Sequence, residues 1–247
     1  MDHPASRVRP WALALAAGLA AGLATVLVSG PGHAAAFRAP QGCQLQVTVQ
    51  NRGCSVSQYF ICEADPPGHQ RSAIFGRDGL RHLSRIDAET RWIESSDPNT
   101  GLVDRLVEDS PDHASFDTLV ATGRDDFDFW TETGTGERLR HVGEDTLTGD
   151  TVEIDGQPLE VTQFRLRTYD ADGTLLIERA GQQFISRERG RFYGGIETQT
   201  DWTGQRQETN DSPVTFAFPG DRGLGETEPQ FDCDQLLTRL GLAGARS

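Results

Sequence analysis

Hydrophobic residues in this chain recur at every second position, and that period leaves few folds open. In "QLQVTVQ", Leu45, Val47 and Val49 fall on one face, with Gln44, Gln46, Thr48 and Gln50 on the other. "DFDFW" separates Phe127 and Phe129 from Asp126 and Asp128 in the same way, and "LVDRLVE" and "TVEID" fit the same pattern. Successive side chains of a strand point to opposite faces, so a period of two describes strands with one buried face. Turn signals punctuate these runs: "GRDG" at 76–79, "DPNTG" at 97–101, "GTG" at 134–136, and "DG" at 155–156 and 172–173. Glycine and aspartate there supply the backbone angles that tight hairpins need. The strand–helix–strand rhythm of a parallel sheet is absent. The expected fold is mainly β: an antiparallel meander forming a curved sheet or barrel, with one or two short helices.

Residues 138–200 form the longest coherent block and read as successive hairpins. "IDGQPL" turns the chain, and the next strand carries Leu159, Val161, Phe164, Leu166 and Tyr169. The break in alternation between Val161 and Phe164 is what a bulge would produce. The chain turns again at "DADG", returns through Leu175 and Ile177, and continues through Phe184, Phe192 and Tyr193. Residues 204–213 are polar and read as a loop. "DHASFDTLVATG" supplies a helix, with Asp112 as its N-cap, Phe116, Leu119 and Val120 at helical spacing, and Gly123 as its stop. "FDCDQLLTRL" supplies a second short helix at 231–240.

"YDADGTLLIE", residues 169–178, has the look of a calcium loop. In an EF-hand frame Asp170, Asp172 and Gly173 would take positions 3, 5 and 6. Position 12 would then be Arg179, a cation where the bidentate carboxylate belongs. Flanking strands and an Asp-Gly pair make this a hairpin turn instead.

The N-terminus carries Arg7 and Arg9, an apolar run from Trp11 to Val28, the helix breakers Ser29-Gly30-Pro31, and then Ala34-Ala35-Ala36. That order describes a secretory signal peptide over 1–36, cut after Ala36. The alternative is a retained membrane anchor, since the run is long enough to span a bilayer. Cleavage would leave a single β-rich domain over 37–242 and a disordered tail over 243–247. The formal net charge is −14, and losing Arg7, Arg9 and Asp2 makes it −15. Such a chain is repelled by nucleic acid and by anionic membrane surfaces, so neither a nucleic-acid partner nor stable membrane insertion after cleavage is expected. All 23 basic residues are arginine, which excludes mechanisms that need lysine.

Four cysteines, Cys43, Cys54, Cys62 and Cys233, lie beyond the leader. In an exported protein they read as two disulfides. Cys54 and Cys62 flank a strand-like segment that would hold their Cα atoms about 25 Å apart, too far to bridge. Both remaining connectivities send Cys233 to the N-terminal region. Cys43–Cys54 with Cys62–Cys233 is preferred. A zinc site lacks both a C-x-x-C element and paired histidines.

No G-x-S-x-G, H-E-x-x-H or glycine-rich phosphate loop is present, so no catalytic residue, metal or cofactor is assigned and the reading leans away from an enzyme. His69, His82, His113 and His141 have no metal-ligand spacing. His141 sits beside Glu144 and Asp145, where a pH-sensitive pair could form. Asp125, Asp126 and Asp128 resemble a cation patch but read as the solvent side of a strand. Phe60, Trp92, Phe127, Phe129, Phe164, Phe184 and Phe192 are candidates to line a ligand pocket, because a curved sheet of this size can keep an interior cavity.

The block "VEIDGQPL…DADGTLL…FYGG", with its strand–turn rhythm, resembles small exported β-rich proteins of Gram-negative bacteria that have no assigned activity. It is similar more loosely, at the level of fold, to periplasmic carriers of the lipoprotein-localisation or lipocalin type. The resemblance implies a periplasmic or extracellular, non-enzymatic carrier whose partner is an apolar small molecule. A cell-envelope structural or interaction domain with a protein partner is the alternative, and a hydrolase of unknown substrate the third reading.

Overall fold

The computed structural model describes residues 36–234, which lie within one compact unit. The expected leader up to residue 35, the tail at 243–247 and most of the expected C-terminal helix fall outside the described residues. No helix among the described residues is long and apolar enough to cross a membrane.

The first strands are β1 (Cys43–Asn51), β2 (Ser55–Cys62), β3 (Gln70–Gly76), β4 (Gly79–Ile86), β5 (Trp92–Ser96) and β6 (Val103–Leu106). Helix α1 (Phe116–Thr122) interrupts them, and β7 (Arg124–Thr133), β8 (Arg138–Ile154), β9 (Gln157–Tyr169) and β10 (Leu175–Ser186) follow. The series ends with β11 (Arg191–Asp201), β12 (Arg206–Asn210) and β13 (Pro213–Ala217). From β1 to β12 each strand pairs antiparallel with its chain neighbour, and β13 pairs with β1. The result is a thirteen-strand antiparallel meander that is not closed into a barrel.

Its two edges, β12 and β13, are consecutive pieces of one segment. Asp211 N donates to Gly195 O on the β11 side, whereas Arg52 N donates to Ser212 O on the β1 side. The chain therefore changes partners between residues 211 and 212, and the sheet curls until its ends are neighbours.

The turns use the chemistry their residues allow. Asp155 and Gly156 both have positive φ, 49° and 73°, as a two-residue hairpin between β8 and β9 requires. At "DADG", Asp170 Oδ1 accepts from the backbone N–H groups of Asp172 and Thr174, and Gly173 takes φ 84°. Residues 170–174 thus make the β9–β10 turn, and the rest of the 169–178 stretch belongs to the two strands. An additional turn at residues 187–190 separates Phe184 from Phe192 and Tyr193, which the sequence reading ran together.

Two apolar clusters organise the interior. One joins Val47, Val49, Tyr59, Leu159, Val161, Phe184, Tyr193 and Phe216, from both ends of the sheet. Burying an aliphatic or aromatic side chain of this kind contributes about 1.5–3 kcal/mol. The other joins Phe127 and Phe129 of β7 to Phe164 and Leu166 of β9. Pairing of β9 with β10 runs without a shift from Glu160 to Thr168. Leu159 and Val161 therefore point to one face of the strand, and Phe164 and Leu166 to the opposite face. The expected bulge in β9 is absent, and the register shift lies in β8, between Leu147 and Thr151. Alternation breaks in β9 because the strand changes which of its faces is buried.

Strand β1 departs from the expected one-sided pattern: Thr48 and Gln50 are as buried as Val47 and Val49. The cause is a strap, residues 225–233, laid across the polar face of β1 and β2. Thr48 Oγ1 accepts from Gly225 N, and Gln58 Nε2 donates to Glu226 O. Gln50 Nε2 donates to Glu228 O, and its Oε1 accepts from Gln230 N. Glutamine in a strand can thus be a buried ladder for another segment's backbone.

The disulfides are Cys43–Cys62 and Cys54–Cys233. This corrects the preferred pairing. Cys43 and Cys62 lie directly opposite in the β1–β2 register, with Cα atoms 3.9 Å apart. Cys54 sits at the turn of that hairpin, where the strap ends.

Helix α1 is capped by Ser115, whose side chain accepts from Thr118 N, and it ends at Gly123 with φ 84°. Asp112, the expected cap, instead forms a backbone bridge with Asp128. Strand β12 occupies half of the expected polar loop, and its fully polar sequence gave no alternation to read.

Candidate functional site

Three rows of side chains cross the face of β7–β10 that carries the second cluster. Phe127, Gly143, Leu166 and Arg179 form one row by strand register. Asp125, Asp145, Phe164 and Gly181 form the next, extended by Glu197 of β11. Phe129, His141 and Thr168 form the third. Gly143 is required here. A Cβ at that position would lie 2.7 Å from the Phe127 ring, so the missing side chain lets Phe127 lie across the sheet.

Over these rows lies a cavity of about 210 Å³. Its roof comes from Ile86, Thr90, Arg91, Trp92 and Leu106, and from His113 and Ala114 before α1. Asp87 shapes that roof: its Oδ1 accepts from Glu89 N and Arg91 N, and its Oδ2 accepts from Arg91 Nε. Glu89 Oε2 then accepts from Ser115 Oγ and Asp117 N, docking the turn onto the start of α1. Trp92 stands edge-on to Phe129 at 5.4 Å and is 44% exposed, so it forms the rim.

The structure brings five of the seven candidate aromatic residues to this cavity: Trp92, Phe127, Phe129, Phe164 and Phe192. It does not bring Phe60 or Phe184 there. Phe60 packs against Phe37, and Phe184 belongs to the first cluster, because β9 and β10 turn opposite faces to the two regions.

The polar lining was not anticipated. Arg179 pairs with Glu197 at 3.5 Å and donates to Gln199 Oε1. Burial pushes Glu197 upward, partly offset by Arg179. Arg191 stacks on the Tyr59 ring at 3.5 Å and donates to Gln70 Oε1. The Asp145 carboxylate of β8 lines the cavity with no side-chain hydrogen bond or ion pair among the described residues. Burial, aided by the neighbouring charge of Asp125, pushes Asp145 up to about 7. The site can thus hold an apolar body against aromatic rings and can exchange a proton at Asp145 near neutral pH.

Two expectations about charge change. Asp126 and Asp128 do face outward, paired with Arg124 and Arg140. Asp125 instead faces inward with Phe127 and accepts from Ser115 N. The suggested pairing of His141 with Glu144 or Asp145 does not form. His141 is buried between Thr131 and Thr168, and desolvation holds it down at about 4. Glu144 lies on the outer face with Arg124. No group of three or more His, Cys, Asp or Glu side chains is placed to hold a metal among the described residues.

No protein-family model, curated protein or solved structure matches this chain.

Proposed function

We propose that this is an exported, non-enzymatic binding protein that carries a small, largely apolar molecule in the cavity over β7–β10. The observation that carries the reading is the convergence of Trp92, Phe127, Phe129, Phe164 and Phe192 on one opening, beside a set of polar and charged side chains. Two disulfides are compatible with an oxidising, exported compartment and agree with the signal-like N-terminus. A second reading, an envelope interaction domain, draws on Trp202, which is 74% exposed at the β11–β12 turn next to Leu176.

Native mass spectrometry of residues 37–247, purified from a periplasm without reductant, separates the two. An added mass that leaves on denaturation supports the carrier and begins to identify its ligand. A bare protein that captures an envelope partner through the Trp202 surface overturns it.

A further inference from the structure

We propose that the ligand of this cavity is an organic cation: an amine or quaternary ammonium whose charge sits against Asp145 and whose hydrocarbon lies on the aromatic walls. The inference rests on the binding-protein reading and specifies its ligand.

A charge inventory of the lining leads there. Arg91 is held by Asp87, Arg179 by Glu197 and Gln199, and Arg191 by Gln70 and the face of Tyr59. His113 Nε2 is taken by the backbone oxygen of Glu108, and Asp125 by Ser115 N. Asp145 alone among these groups has no partner, although it is half-buried and lines open space. Directly across the sheet it faces Phe164 on one side and a second carboxylate, Asp125, on the other.

A carboxylate in that setting is costly while ionised, unless a cation joins it. The surrounding rings complete the match, since an aromatic face is negative and attracts a cation strongly once water is excluded. A metal ion fits poorly, because calcium takes six to eight oxygen ligands and this wall offers chiefly carbon. An anion would meet the Asp145 carboxylate. The three arginines of the lining are each engaged through one nitrogen, Arg91 Nε by Asp87, Arg179 Nε by Glu197 and Gln199, and Arg191 Nη1 by Gln70, so octanoate binding tests them directly. The chain's net charge of −14 raises the local concentration of cations around it.

The test is titration calorimetry on residues 37–247 at pH 8 with four compounds sharing one eight-carbon chain: octylamine, octyltrimethylammonium, octanol and octanoate. The two cations are expected to bind about tenfold or more tighter than octanol, and octanoate weakest. Asp145→Asn should weaken the cations by about tenfold and leave octanol within about twofold, since only the charge is lost. Thermal melting confirms that the variant is folded. Phe129→Leu supplies an independent arm: it removes a ring face but keeps bulk, and should lower cation affinity more than octanol affinity. Octanol binding as tightly as the cations, octanoate binding best, or cation affinity unmoved in Asp145→Asn each overturns the cation while leaving the binding protein in place. If none of the four binds, the binding-protein reading falls with it.

Discussion

The two clusters on either face of β9 use similar residues but end in different states. The first draws on β1, β2, β9, β10, β11 and β13, so apolar surfaces meet from both sides. The strap and the Cys54–Cys233 bridge then cover the outer face of β1 and β2. The second is one-walled. Phe127, Phe129, Phe164 and Leu166 all come from β7 and β9, and a short roof of turns and brief strands faces them. Close packing needs two complementary surfaces, and this roof, although Ile86, Trp92, Leu106 and Ala114 belong to it, leaves a space above the wall. The protein thus invests its packing at one end and leaves the other available.

Breaking the strap should have the largest effect. In the chain-entropy picture, removing Cys54–Cys233, which spans 179 residues, costs about 5 kcal/mol, against about 3 for Cys43–Cys62, which spans 19. Urea unfolding of Cys54→Ser/Cys233→Ser and Cys43→Ser/Cys62→Ser variants measures both. Equal costs would show that the strap does not secure the packed end.

The next effect contrasts the two faces of the same pair of strands. Phe184→Ala should lose about 4 kcal/mol, because its site is filled on all sides. Phe164→Ala should lose about half as much, since its ring already borders open space. A larger loss at Phe164 in denaturant titrations would mean that the cavity wall, not the sealed cluster, holds the fold.

The smallest effect is a pH dependence within the cavity face itself, where Asp145 and His141 both lie. Asp145 has a folded value near 7 against an ordinary 3.8, so folding takes up a proton between those limits. Its contribution to stability is therefore complete below about pH 4 and falls as pH rises to 7. His141 runs the other way: its folded value near 4 against 6.5 means stability is lost as pH falls through that window. The parent protein should show a shallow profile between pH 4 and 6.5, because the two slopes oppose. Asp145→Asn should gain about 2 kcal/mol at pH 8, part of the full linkage since the cavity is open to water, and nothing at pH 4. A variant no more stable than the parent at pH 8 would show that Asp145 is well solvated.

The meander is legible in the sequence because alternation and Asp-Gly turns are local signals. β12 is not, since "RQETN" offers no contrast between faces. The disulfides were closer to hand than they looked. The extended-strand argument that separates Cys54 from Cys62 also separates Cys43 from Cys54, because β1 lies between them, and only Cys43–Cys62 survives both. At the site, Phe127 and Phe129 follow from alternation, but their meeting with Trp92, Phe164 and Phe192 depends on contacts between distant strands. Asp145 shares a face with His141 and Gly143 in "HVGED". Leu139 and Leu147 share that face, but the three positions between them carry no apolar side chain and Val142 lies on the other face, so its inward direction appears only once the strand is paired.

The position of β13 has a consequence for how the molecule comes into being. The first strand to be synthesised waits for its outer neighbour until residues 213–217 exist, and for its cover until residue 233. A nascent chain therefore presents an unpaired strand edge throughout its manufacture, open to any other extended chain nearby. Its most vulnerable moment is its own emergence, and it stays vulnerable until nearly the last of these residues has passed.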